Sequence, residues 1–207
     1  MGFTPQQFEQ MQQRLRKATG TVSKRSAEPL VVDTTQRAPT THQIILGVDP
    51  SLRGTGFGVI RLGKPHPQSL VHGTIKCPST WEHSRCLVKI SQTLREVIAQ
   101  HRPTVCAIEG LFFAQNLQTA IVMGEARGAA LTVIAEAGLD IFEIAPRKMK
   151  QAIVGYGAAQ KLAVAKMVQR ILNLPEHIEA DAADALALAI AHAQTSNGFA
   201  INASKRI

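Results

Sequence analysis

The sequence predicts an α/β fold, a mixed five-stranded sheet flanked by helices. Three observations predict it. Short apolar runs rich in β-branched residues recur at 44–48, 55–62, 70–76, 104–108 and 139–144. Segments of helical period separate the later runs, and turn residues separate the first three. The resulting order, three strands and then alternating helices and strands, is that of a sheet covered by helices.

Each element follows from its own residues. Ile44-Ile45-Leu46-Gly47-Val48 reads as a buried strand that ends at Asp49. The runs at 55–62 and 70–76 follow so closely that an antiparallel meander is expected. Residues 80–101 then switch period, with Leu87, Ile90, Leu94, Val97 and Ile98 on one face. The run at 104–108 is a fourth strand, ending at Glu109. Residues 116–137 form a second helix, with Leu117, Ile121, Leu131 and Ile134 expected inward. The fifth strand is 139–144, and helices are expected at 146–154, 159–172 and 179–193.

Composition bounds the function. The 207 residues are 45% hydrophobic but only 4% aromatic, so the core is expected to be aliphatic. No apolar run approaches the roughly 18 residues of a membrane span, and the first twenty residues lack a signal-peptide core. Cys77, Cys86 and Cys106 show no CxxC spacing. A disulfide scaffold or zinc finger is therefore not expected, and a reducing cytoplasm is. The net charge of +8 favours a polyanion, nucleic acid first.

Three regions are expected. Residues 1–42 form a basic N-terminal extension, carrying Arg14, Arg16, Lys17, Lys24, Arg25 and Arg37 against Glu9, Glu28 and Asp33. This is either a solvated tail or an arm for phosphate contacts. Residues 43–194 form the folded domain, and 195–207 a flexible tail.

Four acids do not suit a solvated role. Asp49 and Glu109 stand at the C-terminal ends of core strands, where α/β sheets commonly place functional groups. Asp181 and Asp184 lie one helical turn apart, and Leu188 continues their face toward the core. Unpaired buried carboxylates cost several kcal/mol each, an order-of-magnitude figure, and a divalent cation is the natural compensation. All-oxygen donors select Mg²⁺ or Mn²⁺ over Zn²⁺. Two such ions about 4 Å apart can hold an attacking water and a leaving oxygen on a phosphodiester. Each acid also has a plainer reading: Asp49 before Pro50 starts a turn, Glu109 before Gly110 ends a strand in solvent, and Asp181 favours a helix macrodipole.

The motifs ILGVDPSLRGTGFGVI, AIEGLFFAQN, GEARGAA, APRKMKQAIVGYGAAQKLAVAKMV and ADAADALALAIAH appear in this order. Together they resemble the RuvC family of Holliday-junction resolvases, crossover junction endodeoxyribonucleases, over about residues 44–193. The resemblance implies an RNase H-like fold and two Mg²⁺ per subunit on Asp49, Glu109, Asp181 and Asp184, with Mn²⁺ as a substitute. It implies a homodimer in which each subunit nicks one of two like strands of a four-way junction, leaving ends a ligase can seal. A branch-migration helicase complex is the further expected partner.

Phe112 matches an aromatic that stacks on bases opened at the crossover, with a core position as its other reading. Lys150 and Lys161 match lysines near the DNA backbone, and Lys161 is placed to offset charge at the scissile phosphate; a solvated helix face is the alternative for both. Arg127 is open between a dimer or DNA contact and a surface salt bridge with Glu125 or another acid. Gly54, Gly56 and Gly58 suit close backbone approach.

The sequence departs from the family pattern at Ser51-Leu52, where Gly-Ser is common, and at Ala163, where Gln is common. The other readings are a different RNase H-like nuclease (RNA-processing or transposon-end), a non-catalytic junction-binding protein, and an actin-like ATPase. The last normally needs two lobes, more than this length supplies.

Overall fold

In the computed structural model of the chain, the described residues are 43–110, 116–174, 178–196 and 205–207. The expected extension at 1–42 and Phe112 lie outside them. The elements run β1 (Ile44–Asp49), β2 (Gly54–Arg61), β3 (Gln68–Lys76), α1 (His83–His101), β4 (Val105–Glu109), α2 (Leu117–Glu136), β5 (Asp140–Ile144), α3 (Pro146–Val154), α4 (Lys161–Leu172), α5 (Ala180–Ser196) and β6 (Lys205–Arg206).

The sheet order is β3-β2-β1-β4-β5-β6. The first three strands form the expected antiparallel meander. β4 then joins β1 in parallel, and β5 joins β4 in parallel. The sheet is therefore mixed, as predicted. It has six strands rather than five, because Lys205–Arg206 pairs antiparallel with β5 at the edge, where a frayed tail was expected. Arg206 also reaches the Asp140 carboxylate.

Alternation along the strands divides the core in two. Ile45, Ile60, Val105 and Ala107 face α3, α4 and α5. Leu46, Val48, Val59, Cys106 and Ile108 face α1 and α2. Nearly all of α5 is buried, from Ala182 to Ala193, because the sheet covers one side and α3 and α4 the other. Its alanines suit that place, since a helix covered on both sides needs small side chains to approach both layers.

α1 buries Cys86, Ile90, Leu94 and Val97. α2 departs from the expectation. Leu117 and Ile121 are 77% and 55% exposed, and the buried stripe is Ala126, Arg127, Ala130, Val133 and Ile134. The helix is apolar nearly all round, so hydrophobicity alone does not set its phase. Leu117 and Ile121 lie roughly half a turn from the stripe that packs. Asn116 caps the helix by accepting from the Gln118 N–H at 2.9 Å.

Candidate active site

Strand register brings the first two acids together. Val48 pairs with Ile108 in the parallel β1–β4 ladder, so Asp49 and Glu109, one residue further, end adjacent strands side by side. Parallel neighbours run about 4.8 Å apart. Alternation then points both acids to the α5 side, with Ile45 and Val105 behind them.

The other two acids arrive on α5, and glycines decide how closely. A Cβ at Gly47 would lie 1.9 Å from the Ala185 carbonyl oxygen, and one at Gly56 would lie 2.0 Å from that of Asp181. Gly56 pairs with Asp49 across β1 and β2. Without side chains here, the α5 backbone rests directly on the strands and carries Asp181 and Asp184 to the end of β1. The group approaching the expected glycines is thus a helix of the same chain.

The turn after Asp49 is braced locally. Ser51 N–H donates to Thr55 Oγ1 at 3.2 Å, and Thr55 Oγ1 donates to the Ser51 carbonyl at 2.5 Å. Leu52 is buried at 4% exposure. The Ser51-Leu52 departure therefore keeps a closed turn and adds an apolar anchor. Arg53 donates to the carbonyls of Pro78 and Trp81 and ties the turn to the segment before α1.

The carboxylates disturb one another strongly. Burial, with the Glu109 charge and hydrogen bond next, pushes the Asp49 carboxyl up from 3.8 to about 8. Burial also raises Glu109, against the opposing effect of its hydrogen bond with Asp49. Asp184 is raised by burial against the pull of Lys161. Lys161 Nζ stands 3.2 Å from Asp184 Oδ2, and its own value is raised, chiefly by that carboxylate. Asp181 acts on both Asp184 and Lys161. The charge of Lys150 lowers both Glu109 and Asp184. The structure thus brings Asp49, Glu109, Asp181, Asp184, Lys150 and Lys161 into one electrostatic neighbourhood.

The donor set is all oxygen, held where positive charge is short, and this fits a hard divalent cation. Among the described residues, no three His, Cys, Asp or Glu side chains stand as a ready-made metal cage. The Lys161 ammonium beside Asp184 offsets part of the excess negative charge.

The placement of one residue of this region, Arg127, was misjudged in the sequence, and its partner Glu143 was passed over. Arg127 does form a salt bridge, but buried rather than on the surface; its acid is Glu143, while Glu125 pairs with His83. Arg127 also donates to the Glu109 carbonyl oxygen. Its place beside Ala126 and Ala130 in a small-residue helix segment was the available signal.

A mixed sheet with helices on both faces and carboxylates clustered at its strand ends defines the class, the RNase H-like proteins. The family described as crossover junction endodeoxyribonuclease RuvC matches residues 45–192, and the chain belongs to that family. Among curated relatives, a crossover junction endodeoxyribonuclease RuvC from Geobacter sp. (strain M21) is 43% identical over 161 residues, 76% of this chain and 96% of that protein. One from Pasteurella multocida (strain Pm70) is 46% identical over 152 residues, 73% and 80% respectively. The structure of T. thermophilus RuvC in complex with Holliday junction substrate superposes with a TM-score of 0.72 at 32% identity, covering 80% of this chain and 100% of that one. No helix among the described residues is long and apolar enough to cross a membrane.

Proposed function

We propose that this chain is an endonuclease that resolves four-way (Holliday) DNA junctions in recombination and repair, acting as a homodimer that makes paired symmetric nicks. Asp49, Glu109, Asp181 and Asp184 would hold two Mg²⁺ ions per subunit, with Mn²⁺ as a substitute. One observation carries the reading: the half-buried carboxylates Asp49 and Glu109 end adjacent parallel strands, with Asp184 and Lys161 beside them, in a chain of the RuvC family.

When bound, the metal ions supply a more acidic water and offset charge on the leaving oxygen. Asp49 would serve as a ligand in its ionised form, since a bound cation would offset the negative charge that burial disfavours. Lys161, exposed at its head, exchanges Asp184 for a phosphate oxygen and offsets the charge that grows there. Lys150 contributes positive field at the DNA backbone. The water oxygen bonds to phosphorus as the bond from phosphorus to the 3′ oxygen breaks, leaving a 5′-phosphate and a 3′-hydroxyl that a ligase can join.

A two-fold dimer suits a substrate with two like strands. α2, with Leu117 and Ile121 exposed, is our choice for the contact. A branch-migration helicase complex is the expected partner on the same junction. A reducing bacterial cytoplasm is the expected compartment, in keeping with free Cys77, Cys86 and Cys106.

The test is cleavage of a synthetic four-way junction beside linear duplex and RNA–DNA hybrid, with and without Mg²⁺. Paired symmetric nicks on the junction alone, requiring metal, are expected. Cutting of the hybrid instead would move the chain to another branch of RNase H-like nucleases. Tight junction binding without cutting would make it a binding protein.

A further inference from the structure

Arg127 is an unusual occupant of the interior. Its side chain is 7% exposed and lies on the packed face of α2 with Ala126 and Ala130. A guanidinium stays charged at any working pH, and burying it costs several kcal/mol, in order of magnitude, unless its donors are met. Here the fork is split between two acceptors. One nitrogen donates to the backbone carbonyl of Glu109, and the other to Glu143 Oε2 at 2.5 Å. The next residue is held as well, since Gly110 N–H donates to the Ile144 carbonyl at 2.9 Å. A Cβ on Gly110 would stand 3.2 Å from Glu143 Cγ, so the glutamate packs against the Gly110 backbone. Arg127, Glu143 and Ile144 together therefore fix the end of β4, where Glu109 sits.

We propose that Arg127 is a positioning residue for metal binding: with Glu143 it fixes the Glu109–Gly110 peptide and thereby aims the Glu109 carboxylate at the metal. The proposal rests on the reading of Glu109 as a metal ligand. Packing alone does not call for the charged pair. Apolar side chains of similar volume often replace a buried ion pair without loss of stability. What they cannot replace is a hydrogen bond to the Glu109 carbonyl, which restrains the backbone that carries the ligand. Groups that orient metal ligands in this way typically set affinity rather than fold.

The test uses the full chain with R127M/E143L, which removes both charges together, and R127K, whose single ammonium cannot reproduce the split fork. Mn²⁺ binding is measured by calorimetry without DNA, and the Mg²⁺ needed for half-maximal junction cutting is measured separately. For the double variant, Mn²⁺ affinity is expected to fall roughly 10- to 100-fold. The Mg²⁺ requirement should rise by a similar factor, junction binding in EDTA should hold, and saturating Mg²⁺ should recover most of the rate. R127K should fall between the double variant and the parent. Parent-like Mn²⁺ affinity in R127K overturns the proposal if the double variant fails to fold, and parent-like affinity in the double variant overturns it otherwise. A rate loss that saturating Mg²⁺ does not recover, with affinity unchanged, also overturns it. E109Q separates the two readings: if E109Q binds Mn²⁺ like the parent, Glu109 is not a ligand, whatever Arg127 does.

Discussion

Gly47 lies directly beneath Ala185: a Cβ on the glycine would stand 1.9 Å from the alanine carbonyl oxygen. That contact is backbone on backbone, so neither partner can yield by rotating a side chain. Gly47→Ala should therefore lift α5 from the sheet. The expected cost is about 1–3 kcal/mol or more, with junction cutting lost because Asp181 and Asp184 move with the helix. Gly54→Ala is the contrast, since its Cβ would crowd the tip of a side chain, Asp181 Oδ2 at 2.8 Å, with Asp181 Cγ and Thr74 Cγ2 in ordinary contact at 3.7 Å. It should keep its Tm near that of the parent and need more Mg²⁺ to cut. Thermal unfolding together with Mg²⁺ titration of cutting checks both, and equal Tm losses in the two variants would contradict the argument.

The Asp49 carboxyl makes stability depend on pH in an unusual direction. Its value rises from 3.8 to about 8 on folding, through burial first and Glu109 second. Between those values the folded chain holds a proton that the unfolded chain has released. Stability from this group is thus fully present below the unfolded value and is lost as pH rises toward the folded one. Glu109 and Asp184, also raised by burial, add in the same direction. In EDTA, Tm should fall between about pH 5 and about pH 8, Mg²⁺ should restore most at the upper end, and Asp49→Asn should flatten the slope. Identical slopes for parent and variant would remove Asp49 as the cause.

Asp49→Asn should also abolish cutting while leaving junction binding intact, because the amide neither carries the charge nor replaces the carboxylate as a ligand. Undiminished cleavage by this variant, in a gel assay with Mg²⁺, would sink the site assignment.

Lys161 offers a finer dissection. Its ammonium is 3.2 Å from Asp184 but mostly exposed, so its loss should leave the fold intact. Lys161→Met should slow single-turnover cutting roughly 10²- to 10³-fold, the usual cost of one lost donor to developing charge. Lys161→Arg should recover part of it. A change in junction affinity with no change in the cutting rate would instead make Lys161 a backbone contact only.

What could be read from the sequence, and what could not, divides along physical lines. β1 and β4 were legible because a continuous apolar run is a local signal, and their ends marked Asp49 and Glu109 directly. The i, i+3 spacing of Asp181 and Asp184 on a helix that stays apolar through Leu188 was equally local. Four things depended on tertiary placement. The buried face of α2 needed its packing partner, since apolar residues surround that helix. The role of the β2 glycines needed α5, which arrives more than a hundred residues later. Arg127 needed Glu143 and the Glu109 carbonyl, neither of which its neighbours announce. β6 likewise exists only because Lys205 and Arg206 find the edge of β5.

Phe112 carries the last prediction, drawn from its position three residues after Glu109. A base–aromatic stack is worth about 1–3 kcal/mol, and at a crossover it would be realised only once the bases there have opened. Phe112→Ala should therefore weaken cutting roughly 10- to 100-fold while changing junction affinity much less. A junction already nicked at the crossover opens without help, so it should restore the variant's rate. Single-turnover rates on intact and pre-nicked junctions, with affinities measured in EDTA, decide the matter. If the nicked substrate fails to rescue the variant, Phe112 does not act by holding bases apart.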